Sequence, residues 1–200
     1  MSRDDVTGIW DRAASTYDRV GPRFFSHFGR RLVELAQIPG GATVLDVATG
    51  RGAILFSAAK RVGSHGYAVG VDLSREMVRE TVAEIRCSGL EHAEICRMDA
   101  VRLAFPDASF DFVLCGAAPS PQYVPEFYRV LKPDGQVGMT VIVSFEWLAD
   151  AFRSASAERD AQANDETNGE DDPAPGWSER LEQMLSEAGF GSVRVVEEEA

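Results

Sequence analysis

The 200-residue sequence predicts an α/β fold with a doubly wound, mostly parallel sheet. From Thr43 onward, short apolar runs alternate with helix-period segments, the order expected when a crossover helix joins each parallel strand to the next. The runs are too short and too apolar for half-exposed hairpin strands, whereas strands covered by helices on both faces read this way. The first run also passes directly into a glycine-containing turn and a helix, the arrangement that faces the ligand crevice of an open α/β sheet.

In chain order, two helical segments come first. One carries Val6, Ile9, Trp10, Ala13 and Tyr17 along one side; the other, after Gly21-Pro22, carries Phe24, Phe25, Phe28, Leu32 and Leu35. At this spacing they form apolar faces, suited either to covering the sheet or to acting as a lid. The predicted strands are Thr43–Val47, Tyr67–Asp72, Ala93–Arg97, Phe110–Cys115, Gln136–Ser144 and Ser192–Val196. Between them, Ala53–Val62 reads as a helix. Ser74 caps another that carries Met77, Val78, Val82 and Ile85 and stops at Gly89, and Ser178 caps a third that carries Leu181, Met184 and Leu185 and ends at Gly189. Pro133-Asp134-Gly135 is the turn that launches the fifth strand. Three prolines at 119, 121 and 125 disfavour a regular helix before Glu126.

Arg153–Gly176 holds no Val, Ile, Leu, Met, Phe, Tyr or Trp. It buries too little to offset its ordering entropy, and reads as a frayed helix continuing from Phe152 and then a mobile linker. One domain is expected: a helical lid over 1–38, a ligand-binding core over 43–150, the acidic insertion 153–176, and a last helix and strand over 177–200.

The formal charge is −12, and residues 151–200 supply thirteen acids against four arginines. Such a balance argues against nucleic acid or an anionic membrane as the main partner, since both need a positive face. No apolar run is long enough to span a membrane and no secretory signal is visible. Cys87, Cys96 and Cys115 match no zinc or redox spacing. They read as reduced thiols, and the expected location is the cytoplasm.

The most informative stretch is Val44-Leu45-Asp46-Val47-Ala48-Thr49-Gly50-Arg51-Gly52. Glycines at Gly50 and Gly52 let the backbone pass close to a ligand. The next strand ends in Asp72, twenty residues after Gly52, where a carboxylate can accept from both hydroxyls of a ribose. That pairing indicates an adenine nucleoside or nucleotide. The turn has no third glycine, and Asp46 would repel a phosphate placed beside it. A nucleoside carrying an ammonium group fits better than a dinucleotide.

VLDVATGRGAI, VGVDLSREMV, MDAVRLAFPDASFDFVLCG and RVLKPDGQVGM, in that order, resemble the successive motifs of class I S-adenosylmethionine-dependent methyltransferases, in particular the small-molecule branch related to ubiquinone and menaquinone biosynthesis. The resemblance runs from about Trp10 to Val143, with a final AGFGSVRVVEE stretch. It implies the Rossmann-like fold of that class and S-adenosyl-L-methionine as cofactor. On the matching positions, Asp46, Gly50 and Gly52 would line the methionine end, Asp72 would hold the ribose hydroxyls and Leu73 would pack on the adenine, with Ala48 and Met77 also among the cofactor-binding positions. Asp99 and the Ala100 N–H would read the adenine edge, Cys115 would line the cofactor beside the acceptor, and Tyr17 would close over the cofactor carboxylate. Where the family usually has glycine this chain has Ala48, and its loop after Cys115 is short and proline-rich. The family's final antiparallel strand is missing from the expected sheet.

The implied activity is methyl transfer to a small-molecule acceptor by in-line attack on the sulfonium methyl, for which the protein must align the reactants and exclude water. His27 and Tyr123 are the candidates for a general base, should the acceptor need one. Plainer roles stand beside these: a strand-end cap for Asp46, a surface carboxylate for Asp72, a loop cap for Asp99 and an ordinary amphipathic-helix residue for His27. Two other activities are weighed, a methyltransferase-like protein that binds the cofactor without transferring methyl, and a nicotinamide-dependent oxidoreductase. The acceptor, its attacking atom and a homodimeric assembly are left open.

Overall fold

A computed structural model describes residues 3–17, 24–116, 120–140 and 177–196. They fall into two units, Met1–Val141 and Ile142–Ala200, taken in turn. The first unit opens with α1 (Arg3–Ala13) and α2 (Phe24–Leu35), and continues through β1 (Thr43–Val47), α3 (Ala53–Val62), β2 (Tyr67–Asp72), α4 (Arg75–Ser88) and β3 (Ala93–Arg97). β4 (Phe110–Gly116), α5 (Val124–Val130) and β5 (Leu131–Thr140) complete it.

The five strands form one parallel sheet in the order β3-β2-β1-β4-β5. The chain builds outward from β1 to β3 and then returns to the other side of β1 with β4. That return creates a topological switch point between β1 and β4, where open α/β sheets bind ligands beyond the strand ends.

Side-chain alternation assigns the two faces. Val44, Ala68, Ile95, Phe112 and Leu114 share a core with Leu32 and Val33 of α2 and with Ile54, Leu55, Ala58 and Val62 of α3; Val78, Val82 and Ile85 of α4 pack against it. Asp46 points to this same face, two residues beyond Val44. Leu45, Val47, Val69, Val71 and Val113 turn to the other face and are equally buried, as are Val124, Phe127 and Val130 of α5.

Most predicted boundaries stand. Ser74 caps α4 by accepting from Met77 N–H, and Gly89 ends it in the left-handed region. Three expected element starts are corrected. β5 begins at Leu131, not Gln136, but its register jumps from Phe110↔Leu131 to Phe112↔Gln136, so Pro133-Asp134-Gly135 forms a bulge inside the strand, with Asp134 at φ 65°. The prolines permit a helix from Val124, because Pro125 sits in its first turn where no intrahelical N–H is needed. In the second unit, α6 (Trp177–Glu187) begins one residue before Ser178. Gly189 does close the helix end, at φ 103°.

Ser192–Val196 joins no sheet among the described residues, so the sixth predicted strand is absent there. The end of the predicted fifth strand (141–144), Gly21-Pro22, and the acidic stretch 153–176 lie outside the described residues. No described helix is long and apolar enough to cross a membrane.

Candidate active site

A cavity of about 1100 Å3 opens at the carboxyl edge of the sheet. Its floor is the turn Ala48–Ala53 with Asp46 beneath; Tyr17, Phe25, Phe28 and Gly29 form one wall and Gly116 and Thr140, at the ends of β4 and β5, another. The same volume includes a groove along α3 and α4, past Phe56, Lys60, Glu80 and Glu84.

The turn is shaped by three residues in the left-handed region: Ala48 at φ 56°, Gly50 at φ 53° and Gly52 at φ 79°. Thr49 N–H bonds to Val71 O at 3.0 Å and Gly52 N–H to Thr49 O at 2.8 Å, tying the turn to β2. A Cβ on Gly52 would lie 2.7 Å from the Phe56 ring. For Ala48 the left-handed conformation costs about 1–2 kcal/mol, but replacing it by glycine loosens the unfolded chain by roughly 0.4–1 kcal/mol. Ala48→Gly should therefore raise urea stability slightly, by about 1 kcal/mol at most, whereas Ala48→Val, β-branched at positive φ, should lower it by about 2 kcal/mol.

Asp46 is 1% exposed. Its Oδ2 accepts from Leu55 N–H at 2.9 Å and from the Thr49 hydroxyl, so it caps α3, whose own N-cap Gly52 offers no side chain. Its Oδ1 is buried without a hydrogen-bond partner. Burial pushes the Asp46 carboxyl up to about 7, against the lowering effect of the Thr49 and Leu55 bonds. Asp46 thus caps the turn with one oxygen and leaves the other without a protein partner.

Asp72 is half-buried at the end of β2. Gly50 N–H donates to its Oδ2 and Ser74 N–H to its Oδ1, both at 2.8 Å. Burial raises its carboxyl above the usual range, opposed by these backbone donors. Gly50 is held from the other side by the Thr81 hydroxyl, which donates to Gly50 O at 3.0 Å. The ring of Tyr17 stacks on Phe25, with centroids 4.8 Å apart, and reaches Gly50, whose Cβ would meet Tyr17 Cε1 at 3.7 Å.

The structure thus gathers Tyr17, Asp46, Ala48, Gly50 and Gly52 on the cavity, with Asp72 bonded directly to its turn. Leu73 follows Asp72, and its carbonyl accepts from Arg97 Nε. Met77 is 2% exposed, part of the packing beneath α4's first turn. Asp99 Oδ1 accepts from Val101 N–H at 3.1 Å, the loop-cap role, with Ala100 inside the same turn. Arg129 holds the loop beyond by donating to Leu103 O and Phe105 O. Cys115 is fully buried between Val47 and Met139, one residue before the cavity wall.

Neither candidate base lines the cavity. His27 is exposed on α2, its Nδ1 3.4 Å from the Arg30 guanidinium, because the inward face of that helix is taken by Phe28, Gly29 and Val33. Tyr123 packs against Phe127 in the turn before α5. Sequence reasoning missed Thr49, Thr81 and Gly116. Thr81 alone left a signal, a polar residue within the apolar face of α4.

The methyltransferase-domain family matches residues 38–189. The chain belongs to that family. Among relatives, this methyltransferase domain is 40% identical over 137 residues to nocamycin O-methyltransferase of Saccharothrix syringae, covering 66% of this chain and 49% of that one. It is 27% identical to demethylmenaquinone methyltransferase of Listeria monocytogenes over 96% of this chain and 90% of that one. The domain spans about half the length of the curated relatives that it matches at 40% identity and above. Its fold is that of a SAM-dependent methyltransferase from Aquifex aeolicus, with TM-score 0.63, 22% identity, and coverage of 84% of this chain and 82% of that one.

The residues of the site fit S-adenosyl-L-methionine, the cofactor that the sequence resemblance implies. The partnerless Oδ1 of Asp46 offers a buried anion to an ammonium group. Gly50 and Gly52 leave the adjoining backbone bare.

Proposed function

We propose that the chain methylates a small-molecule acceptor in the cavity above the β1–α3 turn. The observation that carries this reading is the buried, partnerless Asp46 Oδ1 beneath a cavity that Tyr17, Gly50 and Gly52 also line. When bound, S-adenosyl-L-methionine supplies a methyl group on a positively charged sulfonium, already activated toward a nucleophile. Asp46 holds the ammonium, Asp72 accepts from the ribose hydroxyls, and Tyr17 with Phe25 covers the methionine end and keeps water out. The relative's O-methyltransferase name favours an oxygen nucleophile. No side-chain base is assigned, since His27 faces solvent and Tyr123 lies off the cavity.

Calorimetry with S-adenosylmethionine tests the binding half of the reading. Saturable heat is expected, and Asp72→Ala should weaken affinity about 30- to 100-fold, the size of one hydrogen bond to a charged acceptor. Intact, folded protein that gives no heat would sink it. Release of S-adenosylhomocysteine with a panel of phenols, amines and quinol-like acceptors tests transfer. Binding without release from any of them favours a cofactor-binding protein that performs no methylation.

A further inference from the structure

Helix α1 is tied to the rim of the cavity at two points that none of the motifs foretells. Asp11 reaches the start of α4, where its Oδ1 accepts from the Ser74 hydroxyl and from Glu76 N–H at 3.2 Å. Three residues on, the Ala14 carbonyl accepts from Arg51 Nη1 at 2.7 Å, and Arg51 is itself held to α4 by Glu84 at 3.1 Å. Ser74 is the hub of the first tie: its hydroxyl accepts from Met77 N–H while donating to Asp11, and its own N–H donates to Asp72. Arg51 is the hub of the second, lying between Gly50 and Gly52. The segment so anchored delivers Tyr17 onto Gly50.

We infer that Asp11, with Arg51 as its second anchor, is a positioning residue for cofactor binding. It joins α1 to the carboxylate that holds the ribose, so that docking of α1 and binding of S-adenosylmethionine favour one another. The inference rests on the proposed cofactor site. The physical route is short. Asp11 orients the Ser74 hydroxyl and, through that residue, the N–H that fixes one oxygen of Asp72. Its negative charge also lies at the N-terminus of α4, where the helix dipole favours an anion. Coupling between two binding events is reciprocal, so the cofactor must hold α1 as firmly as α1 holds the cofactor.

The test uses the full chain and S-adenosylmethionine as probe, with calorimetry for affinity and amide hydrogen exchange of residues 3–17 as a readout independent of activity. In the wild type, saturating cofactor should slow exchange across α1. Asp11→Ala should raise Kd about 5- to 10-fold and abolish the cofactor-dependent slowing even at saturation, the range expected for a modest coupling. Asp11→Asn keeps an oxygen that accepts the same two hydrogens and should stay within about threefold of wild type. Should Asp11→Ala melt early, Arg51→Gln cuts the second tie and should lose the same protection. Wild-type affinity in Asp11→Ala, or α1 exchange indifferent to cofactor in the wild type, overturns the inference while leaving the proposed site intact. A wild type that binds no cofactor overturns both.

Discussion

Affinity for S-adenosylmethionine should climb about tenfold per pH unit between roughly pH 5 and 7, level off above Asp46's midpoint, and lose this dependence in Asp46→Asn. The cause is the buried carboxyl at the floor of the cavity, which burial raises to about 7. Below that value the ligand-free site is mostly protonated and offers an ammonium group a neutral acid. Binding must then expel the proton, and the ionised fraction falls tenfold with each unit of pH. Asp46→Asn should also reduce affinity at pH 8 by about 100-fold, the order expected when one partner of a desolvated charge pair is removed. Calorimetry at several pH values in buffers of different ionisation enthalpy would show the released proton directly. An affinity flat from pH 5 to 8 would contradict the assignment.

The same side chain predicts an opposite trend in stability without ligand. The folded state raises the Asp46 carboxyl above its ordinary 3.8, so between that value and about 7 the native protein binds more protons than the unfolded chain. Its contribution is full below pH 3.8 and is lost as pH rises to about 7, a change of roughly 4 kcal/mol if the whole shift is realised. Asp46→Asn retains an oxygen for Leu55 N–H and Thr49 and carries no charge to desolvate. It should therefore be more stable than wild type at pH 8 and lose that advantage toward pH 4. Urea unfolding at the two pH values decides it, and a variant weaker at pH 8 would show that the carboxylate is compensated in a way its partners do not explain. Weaker cofactor binding alongside greater stability is the pattern of a group kept for its ligand.

Much of the core was legible because periodicity and punctuation agree. β1, β2, β3 and α3 are short runs with Gly or Asp close by in the sequence, and their observed limits match those expected. Ser192–Val196 shows the limit of that method: an apolar run signals the capacity to be buried in a sheet, and only a neighbouring strand makes it one. The site was half legible. Asp46, Gly50, Gly52 and Asp72 follow from a turn beside two strand ends. His27 did not, since helical phase decides which way a side chain faces, and Gly29 and Val33 claim the inner side of α2. Asp11 left no local sign because its role depends on a partner 63 residues away.

Gly29 shows the same dependence on distant packing, and its replacement should be a strongly damaging single-methyl change to the fold. Glycine inside a helix costs about 1 kcal/mol relative to alanine, so Gly29→Ala would stabilise α2 if the helix stood alone. In the folded chain the added Cβ would lie 2.7 Å from the Ala53 carbonyl carbon, 2.8 Å from its oxygen and 2.9 Å from Ile54 N. All three are backbone atoms of α3's first turn, so no side-chain rotation relieves the contact. Either α2 moves away or the turn deforms, and overpacking of this kind costs about 3 kcal/mol. The net loss of about 2 kcal/mol should lower Tm by roughly 4–8 °C in a chain of this length. Cofactor affinity should fall with it, because the displaced turn carries Leu55 N–H, which anchors Asp46, and follows directly on Gly50-Arg51-Gly52. Gly8→Ala on α1 is the control: its Cβ would meet only the end of the Arg12 side chain at 3.4 Å, and helix propensity should dominate, leaving Tm equal or higher. Thermal melts of the two variants side by side separate the effects. Gly29→Ala melting at or above wild type would mean that α2 does not seat against α3 in this way.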